Sequence, residues 1–143
     1  MMPTYLLDTN HMTILERESF EARILKSRLA RLAPETFGTT IISYEEQSRG
    51  WLAVSAKART LNAQVEAYKR LNSHLFIYSR ISVLQFDERA ASIYQSLRDE
   101  RIRIGTMDLK IAAIALANDA TLLTRNLSDF QRVTNLRAED WSV

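Results

Sequence analysis

The sequence predicts an α/β fold in which a largely parallel sheet is covered by helices on both faces. Short apolar runs bounded by polar turns alternate with segments of helical periodicity, which is typical of βα units. The 143 residues are 46% hydrophobic and 25% charged, enough to bury the core of one domain, which we expect to span residues 1–143. Only three glycines and two prolines interrupt the chain, so long flexible linkers are not expected.

Strands are predicted where apolar runs end in polar residues. The clear runs lie at 4–7, 37–42, 76–84 and 121–124, and a weaker one lies near 135–138. These runs are short, as expected for strands of a buried sheet.

Helices are predicted between the strands, where apolar residues recur at spacings of three and four. The segments 20–32 and 57–76 follow this pattern, and the segment 87–100 begins at Asp87, a side chain suited to an N-cap. The segment 106–124 differs because every residue from Ile111 to Ala117 is apolar. A helix that is apolar all round is buried.

The buried helix also carries a carboxylate at its start. Thr106 is its expected N-cap. Asp108 then lies in the first turn, where the helix dipole favours the ionised form of the carboxyl group. An acid in so apolar a helix is difficult to explain as a solvated surface residue.

Acidic and amide side chains follow the predicted strands or open the next helix. Asp8 follows YLL, Glu46 follows TTIIS, Asp108 opens the buried helix, and Asn126 and Asp129 follow TLLT. Because the carboxyl ends of parallel strands share one edge, we expect these side chains to converge. Crowded carboxylates repel one another unless a cation lies between them, and oxygen ligands suit Mg²⁺ or Mn²⁺. The pattern predicts a metal site, with helix capping as the structural alternative.

Composition narrows the remaining classes of function. The absence of cysteine excludes disulfides and thiolate metal sites. No apolar run approaches the roughly 20 residues that span a bilayer, and the N-terminus lacks a signal-peptide pattern, so we expect a cytoplasmic protein. A net charge of +2 falls short of the footprint of a dedicated duplex binder. The two histidines, His11 and His74, show no metal-ligand spacing, and His11 is expected to have a structural role.

Four segments of the chain form a recognisable set. They are LLDTN, ISYEEQSRG, IGTMDLKIAAIALANDATLLTRNLSDFQRV and LRAEDW. Together they resemble the PIN-domain ribonucleases of the VapC toxin type, from residue 5 to residue 141. The third segment is the most specific, because it follows the Ile-Gly, Asp, Ile-Ala-Ala and Leu-x-Thr-x-Asn pattern of the family in order and spacing. The resemblance implies a PIN-like three-layer α/β/α sandwich.

The resemblance also implies roles for individual residues. Its first three acids fall on Asp8, Glu46 and Asp108, and Gly50 is the glycine four residues after the second acid. Asp8 and Asp108 are expected to hold the metal directly, and Glu46 through water or a second ion. Glu45 receives no role, because the family often has a small residue at that position.

The fourth acidic position departs from the common family pattern. It is often Asp, and here it is Asn126, with Asp129 three residues further on. Either these two residues form a capping box, or Asp129 supplies the charge of the fourth acid. We prefer the second interpretation and expect Asp129 among the catalytic residues. Thr9, Asn10 and Thr124 are expected to support the site.

The implied activity is Mg²⁺- or Mn²⁺-dependent hydrolysis of RNA by a metal-activated water. The implied partners are a second copy of the chain and a small, DNA-binding, VapB-like antitoxin whose tail covers the active site. Two alternatives stay open at this point. One is a binding module that represses transcription together with the antitoxin and has weak or no nuclease activity. The other is a PIN nuclease of RNA maturation that has no antitoxin.

Overall fold

The computed structural model describes residues 3–143, in which five parallel strands form one sheet with helices on both faces. The strands are β1 (Tyr5–Leu7), β2 (Phe37–Thr40), β3 (Ser82–Leu84), β4 (Thr121–Leu123) and β5 (Ala138–Glu139). The helices are α1 (Thr9–Leu15), α2 (Phe20–Leu29), α3 (Ile41–Lys57), α4 (Leu61–Ser79), α5 (Glu88–Asp99), α6 (Thr106–Ala117) and α7 (Leu127–Phe130). The predicted three-layer α/β/α fold is confirmed.

The sheet separates two hydrophobic cores because successive side chains of a strand point to opposite faces. Leu6 of β1 and Leu122 of β4 pack with α5 and α6 on one face. Leu7 and Leu123, the next residues of the same strands, pack with α1 and α2 on the other face. All four leucine side chains are fully buried. The central strands β1 and β4 are therefore held from both sides.

Two predicted strands are shorter than the sequence suggested. The run 76–84 was wrong as a single strand, because α4 continues to Ser79 and β3 begins only at Ser82. Phe76, Ile77 and Tyr78 at the end of this helix extend the apolar run of β3, so the end of the helix resembled a strand. The run 37–42 ends at Thr40, whose side chain accepts a hydrogen bond from the Ser43 backbone and caps α3.

The weak strand predicted near 135–138 lies further along, at Ala138–Glu139. Asn135 adopts a φ of 70°, which is a turn conformation that interrupts extended structure. Only the last residue of the predicted run therefore joins the sheet, where Ala138 pairs with Leu122.

The buried helix predicted from 106 onwards is confirmed as α6, but its cap differs from the prediction. Gly105 occupies the N-cap position and no side chain caps this helix, whereas Thr106 is already its first residue and is exposed. Asp108 still lies in the first turn. No helix among residues 3–143 is both long enough and apolar enough to cross a bilayer.

Candidate active site

The predicted acids lie where the strand order of the sheet reverses. The order is β3-β2-β1-β4-β5, so the chain winds to one side of β1 and later returns on the other. Leu7 is level with Thr39 and Leu123, which brings Asp8, Thr40 and Thr124 to the carboxyl edge together. Ligand sites of open α/β sheets occur at this kind of crevice.

A cleft of about 330 Å³ opens at this edge. Its lining residues are Asp8, Thr9, Asn10, Thr13, Glu46, Asp108 and Asn126. Three of these side chains are carboxylates and none is basic. Of the residues predicted from the sequence, only Thr124 and Asp129 lie outside this lining.

Asp8 acts both as a helix cap and as a wall of the cleft. Its carboxylate accepts a hydrogen bond of 2.8 Å from the His11 backbone N–H, which caps α1, and the nearby Thr124 hydroxyl acts to lower its pKa. Burial raises the pKa of Asp8 to about 6, and the charges of Asp108 and Glu46 act in the same direction. The capping and site interpretations of Asp8 are therefore compatible.

Glu46 is held by a chain of hydroxyl groups. The Thr9 hydroxyl donates to Glu46 Oε1 at 2.5 Å, and Ser43 Oγ lies 3.1 Å from Thr9 Oγ1. Because a carboxylate only accepts, the proton of the Thr9 hydroxyl points to Glu46 and the Ser43 hydroxyl donates to Thr9. Two residues of the site were not predicted from the sequence. They are Ser43, which contacts Thr9, and Thr13, which lines the cleft. Their helical spacings, three before Glu46 and four after Thr9, could have indicated them.

Asp108 reaches the cleft from the first turn of α6. Burial raises its pKa, and the charges of Glu46 and Asp129 raise it further. The helix dipole favours the ionised form of Asp108, whereas burial and the neighbouring carboxylates favour the protonated form, and its pKa lies above the ordinary value.

Asn126 and Asp129 form a pair, but not the capping box that was considered. Asn126 occupies the N-cap position of α7 without a side-chain capping bond, and its amide donates instead to Asp129 Oδ2 at 2.9 Å. The Asn126 backbone N–H donates to Thr124 Oγ1 at 2.9 Å. Asn126 thus lines the cleft, while Asp129 lies behind it and acts on Asp108 through its charge.

The chemistry of these donors fits a hard divalent cation. Carboxylate, hydroxyl and amide oxygens are ligands that Mg²⁺ and Mn²⁺ accept, and the mutual repulsion of Asp8, Glu46 and Asp108 would be relieved by a positive charge between them. Among residues 3–143 no three acidic or imidazole side chains are already close enough to form a metal-binding group. The acids therefore line one cleft without closing into a cluster.

Comparisons with known proteins identify the family that this chain matches. The PIN domain matches residues 5–136. "Ribonuclease VapC1" of Haemophilus influenzae strain R2866 is 29% identical over 143 residues, which covers 96% of this chain and 98% of that protein. The "tRNA(fMet)-specific endonuclease VapC" of Shigella flexneri is 40% identical over 68 residues, which covers 45% of this chain and 52% of that protein.

Solved structures of similar proteins align with this chain over almost its full length. VapBC-1 from nontypeable Haemophilus influenzae aligns with a TM-score of 0.75 at 27% identity, over 97% of this chain and 98% of that chain. DNA-bound VapBC from Salmonella typhimurium aligns with a TM-score of 0.75 at 26% identity, over 98% and 99% of the two chains. The chain therefore belongs to the PIN-domain family and resembles its VapC members along nearly its whole length.

Proposed function

We propose that this chain is a divalent-cation-dependent endoribonuclease and the toxin of a toxin–antitoxin pair. The observation that carries the proposal is that Asp8, Glu46 and Asp108 line one cleft that has no basic side chain in its lining. Support for RNA as the substrate comes from the relatives, since those that align along nearly the whole chain are named ribonucleases.

The residues that would hold the cation are Asp8 and Asp108 directly, and Glu46 through water or a second ion. Mg²⁺ or Mn²⁺, when bound, supplies Lewis-acid chemistry that lowers the pKa of water and offsets phosphate charge. The chain itself fixes its carboxylates in advance: the Thr124 hydroxyl orients Asp8, and the Thr9 hydroxyl orients Glu46. Such preorganisation reduces the rearrangement needed when substrate arrives.

The nature of the RNA follows only from a relative. The Shigella flexneri protein is named as specific for tRNA(fMet), and it matches this chain over 68 residues. Initiator tRNA is therefore the first substrate to test, and an elongator tRNA serves as the comparison.

The activity test uses purified protein, initiator tRNA and either Mn²⁺ or excess EDTA. We expect cleavage with Mn²⁺ only, and a loss of at least about 100-fold in Asp108→Asn, because each carboxylate orients the ion and offsets its charge. Glu45→Gln is the matched control, since Glu45 forms an ion pair with Arg49 on the exposed face of α3 and does not line the cleft. Cleavage that persists in EDTA would contradict the proposal.

A partner is proposed from the solved complexes. Several of the similar structures are VapBC assemblies, and those of Rickettsia felis and Salmonella typhimurium are bound to DNA. We infer a small, DNA-binding, VapB-like antitoxin for this chain, encoded beside it.

The DNA-bound complexes also favour a second candidate function, which is repression of transcription as a complex with weak or no nuclease activity. Growth on expressing the chain alone separates the two functions. Arrest with the wild type and growth with Asp108→Asn would support the nuclease. Equal growth of both would favour the repressor.

A further inference from the structure

A buried imidazole lies between the acidic cleft and the C-terminal residues. His11 is fully buried, and its Nδ1 lies 3.6 Å from Asp8 Oδ1. On the other side of the ring, Nε2 accepts a hydrogen bond of 3.3 Å from the Trp141 backbone N–H and lies 3.6 Å from Asp140 Oδ1. The ring thus connects the last residues of the chain with an acid of the candidate site.

The segment 140–142, which we call the tail, is firmly attached. Asp140 Oδ1 accepts hydrogen bonds from the Ser142 backbone N–H at 2.8 Å and from its hydroxyl at 2.6 Å. The Trp141 ring packs against Tyr5 of β1 with a centroid distance of 4.6 Å, and the Arg28 guanidinium lies 5.8 Å from the same indole. The tail therefore presents the Trp141 N–H to His11 from a fixed position.

This contact determines which ring nitrogen carries the proton. Nε2 accepts a hydrogen bond, so the proton of the neutral ring is on Nδ1. The Nδ1–H group has no hydrogen-bond partner among residues 3–143, although it lies on the side of Asp8. A buried donor without a partner costs about 1–3 kcal/mol, so a small shift that joins it to the carboxylate is favoured.

We propose that His11 is a positioning residue for the Asp8 carboxylate and that the tail fixes the His11 tautomer required for that role. The proposal rests on the proposed function, since it assigns His11 to the site that would hold the cation. Groups that orient a metal ligand from behind change metal affinity or activity by about 10–100-fold when they are replaced.

Two amide substitutions separate the two sides of the ring. His11→Asn places an N–H donor where Nδ1 stands, facing Asp8. His11→Gln places its amide where Nε2 stands, facing the Trp141 N–H. If positioning of Asp8 is the role, the Gln variant loses about 10-fold or more in Mn²⁺ affinity and in cleavage per folded molecule relative to Asn. If His11 only anchors the tail, the Gln variant retains more Mn²⁺ affinity and cleavage than the Asn variant.

The measurements are calorimetric titration with Mn²⁺, cleavage of initiator tRNA and thermal melting of each variant. Equal Mn²⁺ affinities in the Asn and Gln variants, or a higher affinity in Gln, would overturn the proposal. A wild type that neither binds Mn²⁺ nor cleaves RNA would refute the proposed function itself. The two failures are therefore distinguishable.

The tautomer is tested without metal or RNA. In ¹⁵N spectra of the full chain in EDTA, we expect His11 to carry its proton on Nδ1, with His74→Asn identifying the signals of the second of the two histidines. Deletion of residues 141–143 should shift His11 toward the Nε2–H tautomer. Deletion of Val143 alone is the control, because this residue is 68% exposed, and it should leave the His11 tautomer unchanged. A wild type protonated on Nε2 would overturn the proposal.

Discussion

At the scale of single residues, Asp8 combines two roles with opposite effects on stability. Its hydrogen bond to the His11 N–H caps α1, whereas its burial makes the charged form unfavourable. The pKa of Asp8 rises from 3.8 to about 6 on folding. The native state therefore holds this proton between about pH 4 and pH 6 while the unfolded chain has lost it. This contribution to stability is complete below pH 4 and is lost as the pH rises through 6.

A substitution that removes this charge should stabilise the metal-free protein. We expect Asp8→Asn to raise the free energy of unfolding at pH 7 by up to about 3 kcal/mol, from a shift of about two pKa units at 1.36 kcal/mol each. Asn is an equally good N-cap, so the α1 cap is kept. Denaturant melts of both proteins in EDTA between pH 4 and pH 7.5 check this. The same pH dependence in the two proteins would contradict the expectation.

Asp129 is the residue whose role the structure sharpens most. Since Asn126 donates to its carboxylate and the capping box is absent, we favour a role of its charge in the site over a role in the helix. We expect Asp129→Asn to lower Mn²⁺ affinity and cleavage while barely changing the melting temperature, and Asn126→Asp to restore part of the loss. Calorimetric titration with Mn²⁺ and thermal melts of the single and double variants measure these two effects. An unchanged Mn²⁺ affinity, or a helix-cap loss of about 0.5–2 kcal/mol with normal cleavage, would reject it.

At the scale of the elements, two glycines in different surroundings provide a paired test of packing. A Cβ at Gly38 of β2 would lie 2.6 Å from the Ser82 carbonyl oxygen of β3, whereas one at Gly50 of α3 would meet nothing within 4 Å. We expect Gly38→Ala to destabilise the protein by about 1–3 kcal/mol through overpacking. Gly50→Ala should stabilise it by about 0.5–1 kcal/mol, because glycine weakens a helix interior. Urea melts measure both, and effects of equal sign would contradict the argument.

Local sequence pattern was sufficient for most elements. The apolar run of α6, the Asp87 cap of α5 and the acid after β1 are each encoded within a few residues. The boundary between α4 and β3 was not, because Phe76, Ile77 and Tyr78 end α4 with an apolar run that imitates a strand. Burial of a helix face depends on its neighbours, which a single sequence does not display.

Two signals predicted the site, namely carboxylates at the strand ends and the family resemblance that indicated Thr9, Asn10 and Asn126. Carboxylates at the strand ends are rare enough to notice, whereas Ser43 and Thr13 are ordinary helix residues until α1 and α3 meet. The contact between His11 and Trp141 joins positions 130 residues apart and leaves no local trace. Residues that support a site from behind are therefore the part that needed the fold.

At the scale of the whole molecule, an apolar face lies uncovered on the outer side of two helices. Its members are Leu52 of α3 and Leu61, Val65, Tyr68 and Leu75 of α4, all exposed. On α2, by contrast, a single large hydrophobic side chain, that of Phe20, is exposed. Contiguous apolar surface of this kind is typical of an interface between proteins. The homodimer implied by the family resemblance would therefore use α4.

This face provides the last prediction. We expect light scattering at micromolar concentration to give twice the 16.5 kDa mass of the chain. The double variant Leu61→Glu with Val65→Glu should halve that mass, because two carboxylates one helical turn apart cannot be buried against a second copy without a large desolvation cost. Phe20→Glu, which adds the same charge to an exposed apolar position on α2, is the control and should stay dimeric. Since neither α4 position lines the acidic cleft, the double variant should still bind Mn²⁺, and a monomeric wild type would contradict the prediction.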